Sequence, residues 1–223
     1  MTTRMVRNAA ANHLVTVPPH GSTRLVRGRN GFTMIELLVV IGVIAILATL
    51  IIGVFSHVYE KKLRARVRTE LEMLTSLISN YHEKKGFYPP GNANPANPGT
   101  NQLFYELVGS ATNANDQFVT VNWDKAIARA DIKNTFGVDG FLNARFGDDD
   151  PKNFAPDLRP GQFAPLPGTD VQLLVVGVKG PGGDFNPWRY DASSPNRHNH
   201  DSFDLWAEVT LGSKTIVIGN WKD

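Results

Sequence analysis

The chain has 223 residues, with 23 basic and 21 acidic side chains, no cysteine and a formal net charge of +2. This length leaves no comfortable room for a second large domain beside a membrane segment. The lack of cysteine excludes a disulfide framework and a reactive thiol, and the charge balance does not favour a nucleic-acid-binding protein.

Residues 1–31 form a basic leader. They contain five arginines and no aspartate or glutamate, and they end in Asn30-Gly31 directly before an apolar run. Removal of the leader would leave 18 basic against 21 acidic residues, a net charge of −3. An ordinary secretory signal has a small-residue cleavage site after its apolar core, but residues 56–59 contain no such pattern. The leader is therefore not typical of a secretory signal.

Residues 32–55 form an apolar run that predicts a transmembrane helix. As a helix the run would be ~36 Å long, against ~30 Å for the hydrocarbon core of a bilayer. Glu36 is the one charged residue in it. Because an ionised carboxylate in apolar surroundings costs several kcal/mol, such a residue usually has a partner and a function. Two interpretations of Glu36 remain: a position at the membrane interface, or a functional ion pair.

The stretch Gly31-Phe32-Thr33-Met34-Ile35-Glu36 and the apolar residues after it resemble the cleavage and methylation motif of type IV prepilins and type II secretion pseudopilins. The resemblance implies that a prepilin peptidase cuts between Gly31 and Phe32 on the cytoplasmic face and methylates the new Phe32 amine. Glu36 would then act in assembly by pairing with the amine of a neighbouring subunit. Two buried opposite charges would offset each other's desolvation.

Basic residues flank the apolar run on both sides. Five of them at positions 61–68 compete with the five leader arginines under the positive-inside rule, so charge alone does not set the orientation. The resemblance implies a single pass through the inner membrane, with a cytoplasmic N-terminus and a periplasmic C-terminal domain.

Residues 56–85 predict an amphipathic extension of the same helix. Apolar residues recur at spacings of three and four from Leu63 to Tyr81, and we expect this stripe to pack on the protein's own globular domain. The helix should end near Lys84-Lys85-Gly86, because glycine suits the left-handed cap and Pro89-Pro90 prevents continuation.

Residues 86–170 are interpreted as a variable loop region. Its first part is rich in proline, asparagine and glycine, and residues 103–108 predict one short helix. The acidic triplet at residues 148–150 is assigned no role, because a solvated turn is the commoner use of such a triplet. Turn signals within residues 109–170 lie at Gly137, Gly140, Gly147 and Pro151.

Residues 171–223 predict a C-terminal antiparallel sheet. Strand patterns occur at residues 171–178, 203–209 and 215–218, with a turn at Gly212-Ser213 between the last two. A sheet of this kind laid on the helical stripe gives an α+β, pilin-like fold: a long N-terminal helix, transmembrane and then amphipathic, packed on a small antiparallel C-terminal sheet.

Several C-terminal segments resemble those of major, or G-type, pseudopilins of type II secretion. Members of that family commonly bind calcium in a longer acidic loop. Residues 210–214 lack such ligands, so we predict no calcium site of that type. The matching segments are Asn186-Pro187-Trp188, His198-Asn199, residues 202–206 and Gly219-Asn220-Trp221.

The resemblance implies a structural filament subunit, not an enzyme, that polymerises through its N-terminal helix into a periplasmic pseudopilus and drives protein export. No cofactor and no metal site is assigned. The implied partners are further copies of the chain, the prepilin peptidase, minor pseudopilins, the inner-membrane secretion platform and membrane lipid, but no nucleic acid.

Two alternative functions remain open. One is a pilin-like subunit of another type IV filament, for adhesion or DNA uptake. The other is a membrane-anchored metal-dependent enzyme that uses His198 and His200. In a strand these two histidines would share one face, which suits zinc, but no further catalytic motif accompanies them.

Overall fold

The computed structural model of the protein describes residues 31–144 and 150–221, with only the backbone for residues 50–57. The predicted leader up to residue 30, the turn at Gly147 and the first two residues of the acidic triplet lie outside the described residues. The elements in chain order are α1 (Met34–Lys85), α2 (Leu103–Val108), β1 (Ser110–Thr112), β2 (Gln117–Thr120), β3 (Ala126–Ala128), α3 (Arg129–Phe136), β4 (Phe163–Pro165), β5 (Gln172–Leu174), β6 (Arg189–Asp191), β7 (Asp204–Leu211) and β8 (Lys214–Gly219).

The chain divides into two compact units, residues 1–49 and residues 50–223. In the first unit the large apolar side chains between Phe32 and Leu47 are 49 to 87% exposed. Within the described residues, no helix combines the length and the apolar character that a membrane crossing needs. The transmembrane helix expected over residues 32–55 stays a prediction.

In the second unit, the predicted end of α1 and its buried stripe are confirmed. The helix ends at Lys85, and Gly86 follows with φ +82°, the left-handed conformation of a helix-terminating glycine. The Gly86 N–H donates to the His82 carbonyl at 2.8 Å. The buried members of the stripe are Val67, Leu71, Leu74, Ile78 and Tyr81.

The described strands form small antiparallel sheets in the orders β1-β2-β3, β4-β5 and β6-β7-β8. The amphipathic part of α1 packs on these sheets through one apolar core, so the fold is α+β and consistent with a pilin-like fold. Strands β7 and β8 confirm two of the three predicted C-terminal strands. Gly212, with φ +60°, stands at the first position of the two-residue turn between them, where a type II′ turn requires glycine.

The prediction that residues 171–178 join the same sheet was wrong. The strand there, β5, is shorter and pairs with β4, because β6 occupies the edge of β7 that β8 leaves free. Residues 171–176 are all buried, so their continuous apolar run indicates a core strand without indicating its neighbour.

Residues 109–170 contain more regular structure than the predicted loops. They include a three-stranded sheet, α3 and β4, and Gly137 ends α3 with φ +74°. The strands are three or four residues long, which is too short for a clear alternating pattern. The short helix predicted at residues 103–108 is confirmed as α2.

A buried carboxylate joins α1, α2 and the loop after α3. Glu106 of α2 accepts hydrogen bonds from the Tyr81 hydroxyl at 2.9 Å, the Leu142 N–H at 2.7 Å and the Asn143 N–H at 2.9 Å. Burial raises the pKa of Glu106, and these three hydrogen bonds oppose the rise. The network satisfies a group that would otherwise be costly to bury.

Candidate functional site

The predicted cleavage junction lies in an exposed stretch before α1. Residues 31–33 are not helical, and the Phe32 side chain is 84% exposed. Among the described residues, and apart from its chain neighbours, Gly31 has no heavy atom within 4 Å of the position that a Cβ would take. The Gly31–Phe32 peptide bond is therefore open to an enzyme that binds the backbone, as exposed non-helical segments generally are.

Thr33 and Glu36 form a reciprocal capping box at the start of α1. Glu36 Oε2 accepts from the Thr33 N–H at 2.8 Å and from the Thr33 hydroxyl at 2.7 Å. In return the Glu36 N–H donates to Thr33 Oγ1 at 3.3 Å. The box satisfies N–H groups that have no partner within the helix, and it stabilises the first turn of α1.

The capping box leaves one carboxylate oxygen of Glu36 unused. Both accepted hydrogen bonds end on Oε2, and in the described part of the chain Oε1 has no hydrogen-bond partner. Leader removal would place an amine at Phe32, one residue before the N–H that Glu36 already binds. The carboxylate is thus held where a second donor with a positive charge can reach it.

The role of Thr33 was missed in the sequence. The residues Thr33-Met34-Ile35-Glu36 have the spacing of a capping box, in which a threonine is followed three residues later by glutamate before an apolar run. Glu36 was explained by a position at the membrane interface or by a partner in another chain, although a local partner was readable from the same residues.

Comparison with protein families matches the prokaryotic N-terminal methylation motif to residues 26–52. The chain carries a type IV prepilin-like signature. No match was found among curated proteins or among solved structures. The prepilin-like signature includes Gly31, Phe32 and the capping box, and it implies processing by a prepilin peptidase and assembly into a filament.

The helix surface within the prepilin-like signature is apolar and exposed. Side chains such as Met34, Ile35 and Ile46 are 87, 69 and 64% exposed. A continuous apolar surface of this extent is typically buried against other apolar groups, and lipid or further copies of the helix can supply them. This surface fits a membrane-anchored protein of the pilin type.

A second cluster forms around Asp204, at the start of β7. The Asp204 carboxylate accepts from the backbone N–H groups of His198 at 2.6 Å and Asn199 at 2.9 Å, and from the Asn199 side-chain amide at 3.0 Å. Partial burial alone would raise the pKa of Asp204, but these hydrogen bonds and the nearby His198 ring outweigh it, so the pKa lies below its usual value.

The chain end completes this cluster. The Asn220 side chain accepts from the Leu205 N–H and donates to the Phe203 carbonyl, both at 2.9 Å. The Trp221 ring stacks on the His198 ring with centroids 4.1 Å apart. Segments that lie far apart in the sequence therefore clamp the first residues of β7, and we call this set the C-terminal clamp: His198, Asn199, Asp204, Asn220 and Trp221.

The clamp does not provide the arrangement on which the zinc interpretation rested. Residues 198–200 lie in an irregular segment rather than in a strand, so His198 and His200 share no strand face. His198 Nδ1 lies 3.0 Å from Asp204 Oδ2, whereas the His200 carbonyl accepts from Arg197. Residues 31–144 and 150–221 hold no group of three or more histidine, cysteine, aspartate or glutamate side chains placed to bind a metal.

Proposed function

We propose that the protein is the major, G-type subunit of a type II secretion pseudopilus. The observation that carries the proposal is the prepilin-like signature at residues 26–52. The finer assignment is supported by the C-terminal segments that resemble major pseudopilins. Three of the four come together in the clamp around Asp204: His198-Asn199, residues 202–206 and Gly219-Asn220-Trp221. In this proposal the chain is a structural subunit, not an enzyme, and needs no cofactor.

Processing and assembly follow from the chemistry of the N-terminus. Hydrolysis of the Gly31–Phe32 bond frees an amine, and methylation of that amine leaves it basic and positively charged. Glu36 is already held at the helix start through Thr33, and Oε1 accepts no hydrogen bond from the described residues. Pairing of this oxygen with the amine of an adjacent subunit offsets the desolvation of both charges and sets the register of the filament.

The proposal also assigns a location and partners. The N-terminus is cytoplasmic, residues 32–55 cross the inner membrane once, and the C-terminal domain is periplasmic. The partners are further copies of the chain, the prepilin peptidase, minor pseudopilins and the inner-membrane secretion platform.

The first test is the intact mass and N-terminal analysis of the protein purified from membranes of its native host. We expect a chain that begins with N-methylated Phe32, because the exposed Gly31–Phe32 bond is the predicted cleavage point. An uncut chain that starts at Met1 would contradict the filament mechanism. A second test deletes the gene for this protein in the native host, and we expect export of secreted proteins to stop. If export is unchanged and adhesion or DNA uptake is lost instead, the filament belongs to another machine.

A further inference from the structure

Five basic residues lie on α1 shortly after the apolar run, and we call them the basic band: Lys61, Lys62, Arg64, Arg66 and Arg68. All five are exposed. Two exposed apolar residues precede them, Val58 at 57% and Tyr59 at 63%. Exposed tyrosine beside lysine and arginine is typical of a helix segment at a membrane–water interface.

The basic band occupies the face of α1 that does not contact the core. Val67 is fully buried, and Leu63 packs against the core. The band residues fill the remaining directions, since side chains three and four positions apart share a side of a helix. Lys61, Lys62, Arg64 and Arg68 therefore present their charges outward. The Arg66 guanidinium lies beside Gly177 of the globular domain.

Most of this charge has no internal partner. Arg66 Nε lies 3.2 Å from Glu70 Oε1. Across the described residues, no acidic group lies within 4 Å of the other four basic side chains. Moreover, Lys62 with Arg66, and Arg64 with Arg68, are like-charged pairs four residues apart, a spacing that destabilises a helix. An external anion would relieve both pairs.

The charge is local to the band. Residues 69–223 contain 13 basic and 19 acidic residues, a net charge of −6, whereas the band adds five positive charges over eight positions. The band begins six residues after Phe55, less than two helical turns beyond the predicted membrane run. The anions that lie closest to the end of a membrane run are lipid phosphates.

We propose that the basic band binds the phosphate headgroups of anionic phospholipids at the membrane surface. The inference rests on the proposed function, because it requires residues 32–55 to be anchored in a bilayer. A basic side chain near an anionic membrane surface contributes about fivefold to binding. The band thus adds a selective contact with lipid to the unselective one that the apolar run makes.

The test uses the full-length chain reconstituted in nanodiscs of phosphatidylcholine and phosphatidylglycerol in a three-to-one ratio. Native mass spectrometry then measures which lipid stays bound to the protein. We expect several-fold enrichment of phosphatidylglycerol over its share of the nanodisc lipid. The enrichment should fall close to one in the triple variant Lys61→Gln/Lys62→Gln/Arg64→Gln and should weaken at high salt.

The matched control is the triple variant Lys125→Gln/Arg159→Gln/Lys214→Gln, which loses the same charge from exposed positions outside the band. It should keep the enrichment. Equal binding of the two lipids by the wild-type chain, or enrichment that survives in the band variant, would overturn the proposal. Chemical cross-linking of the same samples detects contacts between copies of the chain. If the band variant loses these cross-links but keeps its lipid preference, the partner of the band is a second copy and not lipid.

Failure of the proposed function gives a different result. If the chain does not insert into nanodiscs at all, both the membrane anchor and the lipid site are contradicted. If the chain inserts but shows no preference for phosphatidylglycerol, only the lipid site is contradicted.

Discussion

Glu36 has two separable properties, a shape that caps α1 and a charge that can pair with an amine. The cap needs an oxygen that accepts from Thr33, and glutamine supplies one as well as glutamate does. The ion pair needs the negative charge, which glutamine lacks. The two properties can therefore be tested one at a time.

We predict that Glu36→Gln keeps the start of the helix and loses filament assembly, whereas Glu36→Ala loses both. Membrane insertion should be unchanged in the two variants, because the apolar run is intact. The measurement is filament formation in the native host together with hydrogen exchange of the Met34–Glu36 amides.

A suitable control is Glu72→Gln, which removes an exposed carboxylate from the same helix without touching its start. Normal filaments in Glu36→Gln cells would show that capping is the role of this residue and that the charge is dispensable.

At the scale of elements, the C-terminal clamp joins an irregular segment, the start of β7 and the chain end through one carboxylate. The pKa of Asp204 is lower in the folded chain than its usual value. The carboxylate therefore stabilises the fold at a pH above its unfolded pKa of about 3.9, and this contribution is lost as the pH falls through the folded pKa.

We predict that Asp204→Asn lowers the free energy of unfolding by about 2 kcal/mol at neutral pH, because an amide NH₂ then faces a backbone N–H donor. The loss relative to the wild-type chain should shrink in acid, as the wild-type carboxylate becomes protonated. Denaturant unfolding at several pH values measures it.

Asp201→Asn is the control, since this exposed carboxylate lies three residues earlier in the chain. It should have little effect at any pH. A penalty for Asp204→Asn that stays constant down to pH 2 would contradict the carboxylate role.

The elements that could be predicted are those with long or distinctive local signals. The end of α1 follows from Gly86 and the prolines after it, and the β7–β8 hairpin follows from alternation around Gly212. The short strands β1 to β3 carry no comparable period. Every residue of β5 is buried, so its continuous apolar run predicts a strand. The run does not predict which strand β5 pairs with, because tertiary contacts decide that.

The residues of the candidate functional site could be predicted only in part. Gly31, Phe32 and Glu36 were predicted as processing and assembly residues from their resemblance to prepilins, and these roles stay a prediction. The capping box was readable in the sequence but was missed. The hydrogen bonds of the C-terminal clamp could not be predicted from the sequence, because they join residues as far apart as Asn199 and Asn220. Sequence spacing does not report contacts of that kind.

On the scale of the whole molecule, residues 50–223 form a compact unit with an apolar core that includes the stripe of α1. The side chains of residues 32–49 are all exposed, and these residues belong to the other unit. The stability of the folded domain should therefore be independent of residues 1–49.

We predict that a chain of residues 50–223 folds alone and unfolds in one cooperative transition. Circular dichroism during heating measures it. Leu74→Ala in the same chain should cost about 2 to 5 kcal/mol, because Leu74 is fully buried against the core. A gradual transition without a midpoint would show that the domain depends on the part removed.

The Glu106 network has a consequence for the exchange of amide hydrogens with solvent. The Leu142 side chain is 51% exposed and lies in a turn, yet its N–H donates to a carboxylate that is fully buried. Asn143 is held in the same way. These two amides should exchange as slowly as those of a central strand, since opening them requires α1, α2 and the turn to separate together. A surface turn would thus report on the unfolding of the whole domain.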